Sequence, residues 1–354
     1  MKHIVMWMGN GNNEPGWAKI LSNRGLVFLV QGSSKTPLIS TWQNGLQTKL
    51  ETTSPLLRWP LIDRVFFGFF SAVQLARLTL KHTRGEPIAL LIADGPSGCL
   101  GLWMKWRRQV HTLVSMHSDY FPPVGTWFVR LHRCIIRALN RYVVHNADEV
   151  WRISPRIPTG KGHPRNYVVP VYINDNRTAM EERKDIVYLG VPSADHDLET
   201  LFEVARRHFI PLHIIGDSAY LRSIQLKAPP NTTFHGYLTD PERIKEIVKH
   251  CFCGYAVYRN TSPANYSYYG IPSKSFHYFA SNVPVLTTNT AYFSQYIEKY
   301  SVGCVVLPDP AQIEAAILQM RDRYQDFYQA ITQFRAEWNC NVGNFLIERM
   351  AVLL

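Results

Sequence analysis

Two stretches of short apolar runs alternating with helical patterns, parted by a proline- and glycine-rich break, constrain this chain more than any other feature. In the first stretch, residues 2–8, 26–30, 88–93 and 110–116 read as buried strands, and residues 149–154 as a further one. Helices are predicted over residues 17–23, 61–81, 98–106 and 126–146. Pro155, Pro158, Gly160, Gly162, Pro164 and Pro170 then crowd a short span, which is loop chemistry, and the alternation resumes at Ile186. Strand–helix alternation of this kind builds a sheet with helices on its faces. The fold class is therefore α/β, with two doubly wound domains at residues 1–170 and 185–338 joined by a hinge at 171–184. The last helix, about residues 311–354, is predicted to break near 339–344, which leaves 339–354 as a terminal helix.

A chain of 354 residues can fill two such cores, and 46% hydrophobic residues argue against disorder. The longest apolar stretch, residues 65–76, is broken by Gln74 and too short to span a bilayer. Residues 1–8 run straight into Gly9-Asn10-Gly11-Asn12-Asn13 without the apolar core and cleavage site of a signal peptide. Cys99, Cys134, Cys251, Cys253, Cys304 and Cys340 lack disulfide-framework or zinc spacing. Cys251 and Cys253 sit in an apolar, strand-like run and read as buried thiols. A reduced, cytoplasmic protein is the expectation. The charge is lopsided. Residues 1–170 carry 21 Lys+Arg against 8 Asp+Glu, a net +13, and residues 171–354 carry 17 against 19. A field of that sign draws polyanions: an anionic membrane, a pyrophosphate-bearing lipid or nucleic acid.

The sharpest motif is Tyr269-Gly270-Ile271-Pro272-Ser273-Lys274-Ser275-Phe276-His277-Tyr278-Phe279-Ala280, followed by Pro284-Val285-Leu286. Proline suits the first helical position, and free amides at a helix N-terminus attract anions. Ser273 and Lys274 there make either an ordinary cap or a pocket for a diphosphate. The segment resembles the donor-binding motif of GT-B fold glycosyltransferases, in which Pro-Ser-Lys opens a helix before x-Pro-Val. Asp185-Ile-Val-Tyr-Leu-Gly190, His213-Ile-Ile-Gly216, Asn231-Thr-Thr-Phe-His-Gly236-Tyr237 and the run Val302-Gly303-Cys-Val-Val306 after Tyr296-Ile297 resemble that family's other nucleotide-domain strands, in the same order. The resemblance implies two Rossmann-like domains facing across a cleft, with a terminal helix crossing back to the first. It implies a nucleotide-diphosphate sugar, UDP-linked by preference, as donor substrate, with no permanent cofactor and no metal. Ser273, Lys274 and Arg259 would stabilise the leaving diphosphate, and Gly190 would let the backbone approach the donor. His277 stands where many relatives carry the glutamate that binds the nucleotide ribose.

In the first half, Gly9-Asn10-Gly11-Asn12-Asn13-Glu14, Asp94-Gly95-Pro96-Ser97-Gly98 and His117-Ser118-Asp119-Tyr120-Phe121-Pro122 follow strands and so belong at the active edge of a doubly wound sheet. The last of these, with Ala147-Asp148-Glu149-Val150-Trp151-Arg152-Ile153-Ser154, resembles loops of bacterial exopolysaccharide and lipopolysaccharide glycosyltransferases. An inverting transferase needs a base for the acceptor hydroxyl. Asp119 is the first candidate, His117 the second and Glu14 the third, although Asp119 equally suits a turn cap before Pro122. Arg130, Arg133, Arg137 and Arg141 fall within about 80° of one helical face, with Leu131, Ile135, Ala138, Leu139 and Tyr142 on the adjoining arc. The arginines read as a solvated face opposite a core, or as a stripe for acceptor phosphates or a membrane. Trp59, Phe66, Phe67, Phe69 and Phe70, followed by Arg77, Lys81 and Arg84, suit either a core helix or one dipping into headgroups.

These features imply a glycosyltransferase acting on a lipid-linked saccharide at the inner face of the cell membrane, in cell-surface polysaccharide assembly. The alternatives are a phage-type DNA-base glycosyltransferase, for which the basic half would hold nucleic acid, and a non-catalytic GT-B partner subunit.

Overall fold

The structure, a computed structural model, describes residues 3–8, 14–23, 26–31, 38–52, 69–92, 95–117, 126–159, 161–169, 171–175, 183–238, 240–259, 268–269, 271–289 and 293–353. Asp119, the 9–13 loop, Asp94 and the aromatic residues at 59–67 lie outside these ranges. The chain forms two compact units: residues 1–172 with 340–354, and residues 173–339.

The first unit holds strands β1 (His3–Met8), β2 (Leu26–Gln31), β3 (Leu38–Gln43), β4 (Leu46–Thr52), β5 (Ile88–Ile92), β6 (Val110–His117), β7 (Glu149–Arg152) and β8 (Asn166–Val168). They form one sheet in the order β4-β3-β2-β1-β5-β6-β7-β8. All neighbours are parallel except β3, which runs antiparallel to both β2 and β4. The β3–β4 hairpin is an element that apolar periodicity misses. Its turn residues Asn44 (φ 52°) and Gly45 (φ 75°) are both left-handed, the type I′ geometry that an Asn-Gly pair favours. Helices α1 (Glu14–Leu21), α2 (Phe69–His82), α3 (Gly95–Trp106) and α4 (Trp127–Asn146) accompany the sheet. Val5, Trp7, Ile88, Leu90, Ile92 and Leu113 from the strands pack with Ala76, Leu100, Met104 and Val143 from the helices into one core. The one buried polar edge of Trp7 is satisfied, with Nε1 donating to Thr79 Oγ1 at 2.8 Å.

The second unit is a six-stranded, wholly parallel sheet in the order β11-β10-β9-β12-β13-β14. Its strands are β9 (Asp185–Leu189), β10 (Leu212–Ile215), β11 (Thr232–Gly236), β12 (Cys251–Ala256), β13 (Val285–Thr288) and β14 (Gly303–Val306). Its helices are α5 (Leu198–Arg207), α6 (Ala219–Ile224), α7 (Pro241–Val248), α8 (Ser273–Ala280), α9 (Ser294–Tyr300), α10 (Pro310–Asp322) and α11 (Tyr324–Leu353), of which the part from Cys340 on belongs to the first unit. Local sequence starts these helices. Asp240 and Asp309 accept from the first-turn amides of Glu242 and Gln312, each followed by a proline at the next position, and Asp197 and Ser218 cap α5 and α6. Cys251 and Cys253 are buried in β12, and all six cysteines are free thiols.

The terminal helix differs from the sequence expectation. Its interruption falls at Arg323, between α10 and α11, and the chain stays helical through 339–344. Asn339 is held there by two bonds to the backbone of Ile173, at 2.9 and 2.7 Å. Beyond it Phe345 packs edge-on against Trp151 at 5.3 Å, and Arg349 donates to Tyr167 Oη at 2.8 Å, close to the fully buried Glu149.

The strand order reverses between β9 and β12, and Tyr278 of α8 spans that point. Its hydroxyl accepts from Leu189 N at 2.9 Å and donates to Tyr255 O at 3.2 Å. The ring lies flat against Gly254, where any Cβ would collide with it. A Gly254→Ala protein is expected to lose about 1–3 kcal/mol of stability through this overpacking, read as a lower urea midpoint with an unchanged m-value.

Candidate functional site

The site grows from the reversal point. β9 ends at Leu189, and Gly190 turns the chain with φ at +116° while its amide donates to Ile215 O at 2.9 Å. Gly216, at φ +145°, lets the end of β10 lie directly against the Gly190 carbonyl. Two adjacent strand ends therefore meet as bare backbone, which no side chain screens. Opposite them α8 opens after Pro272, whose ψ of 107° sets the turn into the helix, and no side chain caps its first amides. Those amides carry the positive end of the helix dipole.

Lys274 reaches from α8 to this point. It is 8% exposed, and its Nζ has no hydrogen-bond partner among the described residues. The ammonium lies 4.1 Å from the ring centre of Tyr188 and 5.5 Å from that of Tyr258, and 3.9 Å from the position a Cβ on Gly190 would take. Burial pushes its pKa down to about 7. Cation–π contact offsets part of the desolvation but supplies no counter-charge. His196 completes the cage, its ring 5.4 Å from Tyr188 and 4.9 Å from Tyr258. Its Nδ1 accepts from Ser193 N at 3.2 Å and meets Ser193 Oγ at 2.9 Å. Burial and then the Lys274 charge hold His196 far below the usual histidine range, so the ring is neutral. Ser275 Oγ, fully buried at the same helix start, is also without a partner. The cluster is a cationic site to which no described residue supplies an anion.

The other candidates fall differently. Gly190 and Lys274 are brought together, and Ser273 is the exposed first residue of α8. His277 lies half-buried one turn beyond Ser273, and burial lowers its pKa. Arg259 departs from expectation. Its Nε and one terminal nitrogen bond Asp197 Oδ1 at 3.2 and 3.0 Å, and the same nitrogen bonds Glu199 Oε2 at 2.7 Å. Two carboxylates neutralise it, so it braces the start of α5 instead of offering a free charge to a diphosphate. In the first unit His117 ends β6, buried, with Nε2 3.0 Å from Ser115 Oγ. Burial, and next the Arg152 guanidinium, lower its pKa to about 4, which leaves it neutral and a weak base. Arg152 is itself fixed by Asn166 Oδ1 at 2.8 Å and the Ile157 carbonyl at 2.6 Å. Glu14 is the first residue of α1, not part of the preceding loop, and Asp119 lies outside the described residues.

Arg130 and Arg141 of α4 are exposed, and Arg133 and Arg137 partly so. The adjoining arc is not the core it was expected to be: Leu131 is 51% and Tyr142 60% exposed, and Ala138 is exposed as well. Sequence reasoning also missed His196, Tyr188 and Tyr258 as site residues. The two tyrosines flank motif positions, next but one to Gly190 and adjacent to Arg259, whereas no spacing marks His196. Among the described residues no group of three or more His, Cys, Asp or Glu side chains is placed to hold a metal ion.

A lysine with a folded pKa near 7, against an ordinary value of 10.5, binds its proton more weakly in the native than in the unfolded chain. The resulting penalty is full below pH 7 and is relieved as pH rises toward 10.5. Lys274→Met is therefore expected to stabilise the free protein at pH 6–7. That advantage should shrink by about 1.4 kcal/mol per pH unit above 7, as measured by urea unfolding at pH 6, 7, 8 and 9.

Residues 186–346 match the glucosyltransferase 3-like C-terminal domain family. No curated protein matches the chain by sequence. Among solved structures, sucrose-phosphate synthase from Thermosynechococcus elongatus superposes with a TM-score of 0.69 at 13% identity, covering 99% of this chain and 100% of that one. HepE from Anabaena, in complex with UDP and glucose, gives 0.65 at 13% identity with 100% of both chains covered. A UDP-forming trehalose-phosphate synthase from Burkholderia xenovorans gives 0.63 at 12% identity, covering 100% of this chain and 99% of that one. Residues 186–346 therefore match a glucosyltransferase C-terminal domain, and the whole chain carries the two Rossmann-like parallel sheets of the GT-B fold.

Proposed function

We propose that the chain transfers a sugar from a UDP-sugar to a lipid-linked saccharide at an anionic membrane surface, in cell-surface polysaccharide assembly. The observation that carries the donor half is the buried, partnerless Lys274 at the start of α8, facing the bare Gly190 backbone. That arrangement suits a diphosphate: α8 amides and Ser273 to hydrogen-bond its oxygens, and Lys274 to neutralise it in place of a metal. UDP as the nucleotide is supported by the HepE structures, solved with UDP and with UDP-glucose. His277, one turn along the helix, suits a neutral hydrogen-bonding contact to a ribose hydroxyl. The acceptor half is supported by the net +13 of residues 1–170.

In the transfer, the bond between the sugar anomeric carbon and the diphosphate oxygen breaks as the acceptor oxygen bonds to that carbon. The acceptor proton passes to a base, for which Asp119 is the first assignment, and the diphosphate leaves with its charge met by Lys274. His117, held neutral, serves to orient the acceptor hydroxyl, and Glu14 is the remaining candidate base.

Donor binding is expected to take up a proton, because a diphosphate raises a lysine pKa that burial has lowered. Titration calorimetry with UDP-glucose at pH 8, in two buffers of different ionisation enthalpy, should show net uptake. The dissociation constant should rise about tenfold per pH unit above 7. Lys274→Met should abolish the uptake and weaken binding at least tenfold; unchanged affinity in that variant removes the site from donor binding. Asp119→Ala should leave UDP-glucose affinity intact and lower kcat by a factor of about 10² or more. Transfer to lipid-linked saccharides but not to duplex DNA is the expected acceptor outcome.

A further inference from the structure

Helix α4 reaches past the sheet it belongs to. Glu149, three residues after α4 ends, pairs with Val114, and Asp148 N bonds Leu113 O, so the helix finishes beside the middle of β6. Only about 10 Å of strand separates Val114 from the end of β6 at His117. The helix has 20 residues, a length of about 30 Å, and a right-handed crossover runs it back along the strands. Its first three turns therefore extend beyond the edge where the strands end and His117 sits. Burial agrees. Of the α4 side chains described, only Val143 and Val144, near its C-terminal end, are buried, and Val143 is pressed against Gly98 of α3.

The projecting part has three faces. Val143 and Ile136 mark the side turned toward the core. Trp127 (75% exposed), Leu131, Cys134, Ala138 and Tyr142 line a second stripe about 80° wide, all exposed, centred roughly 150° from the first. Arg130, Arg133, Arg137 and Arg141 line the third, along the far flank of the apolar stripe. There is no aspartate or glutamate anywhere in the helix. A stripe of Trp, Leu and Tyr edged by cations, with no acid to repel phosphate, is the composition of a helix lying in a headgroup layer.

We propose that this projecting face of α4 docks the first unit on an anionic lipid bilayer, with Trp127, Leu131 and Tyr142 entering the interface and the arginines meeting lipid phosphates. The occupant follows from charge: a unit of net +13 and an acid-free basic helix complement a negatively charged surface. No helix among the described residues is long and apolar enough to cross a membrane, so the contact is along the surface. The inference deepens the lipid-linked acceptor reading and rests on it, because the docked face adjoins the strand edge that carries His117. Its test needs neither donor nor acceptor.

The full chain is mixed with vesicles of phosphatidylcholine alone or with 30% phosphatidylglycerol, about a third of the lipid being anionic as the charge argument requires, and sedimented. Binding to the anionic vesicles alone is expected, weakening as salt is raised. A Leu131→Asp/Tyr142→Asp variant should lose at least tenfold in partitioning while its melting temperature and UDP-glucose affinity stay unchanged. No binding at low salt, equal binding to neutral vesicles, or undiminished binding by the variant overturns the proposal. So does sedimentation velocity showing a dimer that the variant disrupts while neither protein binds vesicles, since a second copy then covers the face. Intact donor binding beside failed docking would sink this inference alone, and failed donor binding beside intact docking would sink only the donor assignment.

Discussion

The second unit depends on the seating of one tyrosine. Tyr278 lies on Gly254, and its hydroxyl bridges Leu189 N and Tyr255 O, so α8 is tied to the two strands between which the sheet order reverses. The C-terminal end of the same helix is held further. Arg335 donates to the carbonyls of Phe279 and Ala280, each at 3.1 Å, and Arg183 to that of Ser281 at 3.1 Å. Two buried guanidinium groups thus answer the negative end of a short helix, where cations are stabilising. With the last turn of α8 held in this way, Lys274, one turn earlier, is delivered to Gly190 without a hydrogen bond from any described residue.

That lack of a bond is informative because the rest of the neighbourhood is well satisfied. Asp197 caps α5 and engages Arg259, His196 is engaged by Ser193, and Tyr255 Oη donates to Asp197 O at 2.7 Å. A cation left among aromatic rings while nearby carboxylates pair elsewhere costs native stability, and such costs concentrate at functional sites. In the donor complex proposed above, an incoming diphosphate would supply the charge that the described residues withhold. Such binding would recover the desolvation that folding imposed, with proton uptake as its thermodynamic signature.

Much of this was legible in the residues. Strand–helix alternation and the 155–170 break carried the two sheets, because period and punctuation are local properties. Pro272-Ser273-Lys274 and Gly190, which the fold brings together, were legible as a helix start and a glycine turn because each has a local signature. The β3–β4 hairpin was readable too, from Asn44-Gly45, but its strands lack strict apolar alternation. The break in the terminal helix was misplaced: the asparagines at 339–344 look like helix breakers, yet Asn339 spends its side chain on the Ile173 backbone while the helix continues.

By itself, then, the sequence determined the α/β class, the alternation of most strands and helices, and the concentration of positive charge in the first half. Each follows from contacts a few residues long or from simple summation. Only the tertiary structure decided what surrounds each charge. It set Lys274 among Tyr188, His196 and Tyr258, gave Arg259 to Asp197 and Glu199, and left Leu131 and Tyr142 of α4 outside the core. Periodicity tells which residues share a face. Whether that face is covered, and by what, depends on segments far away in the chain.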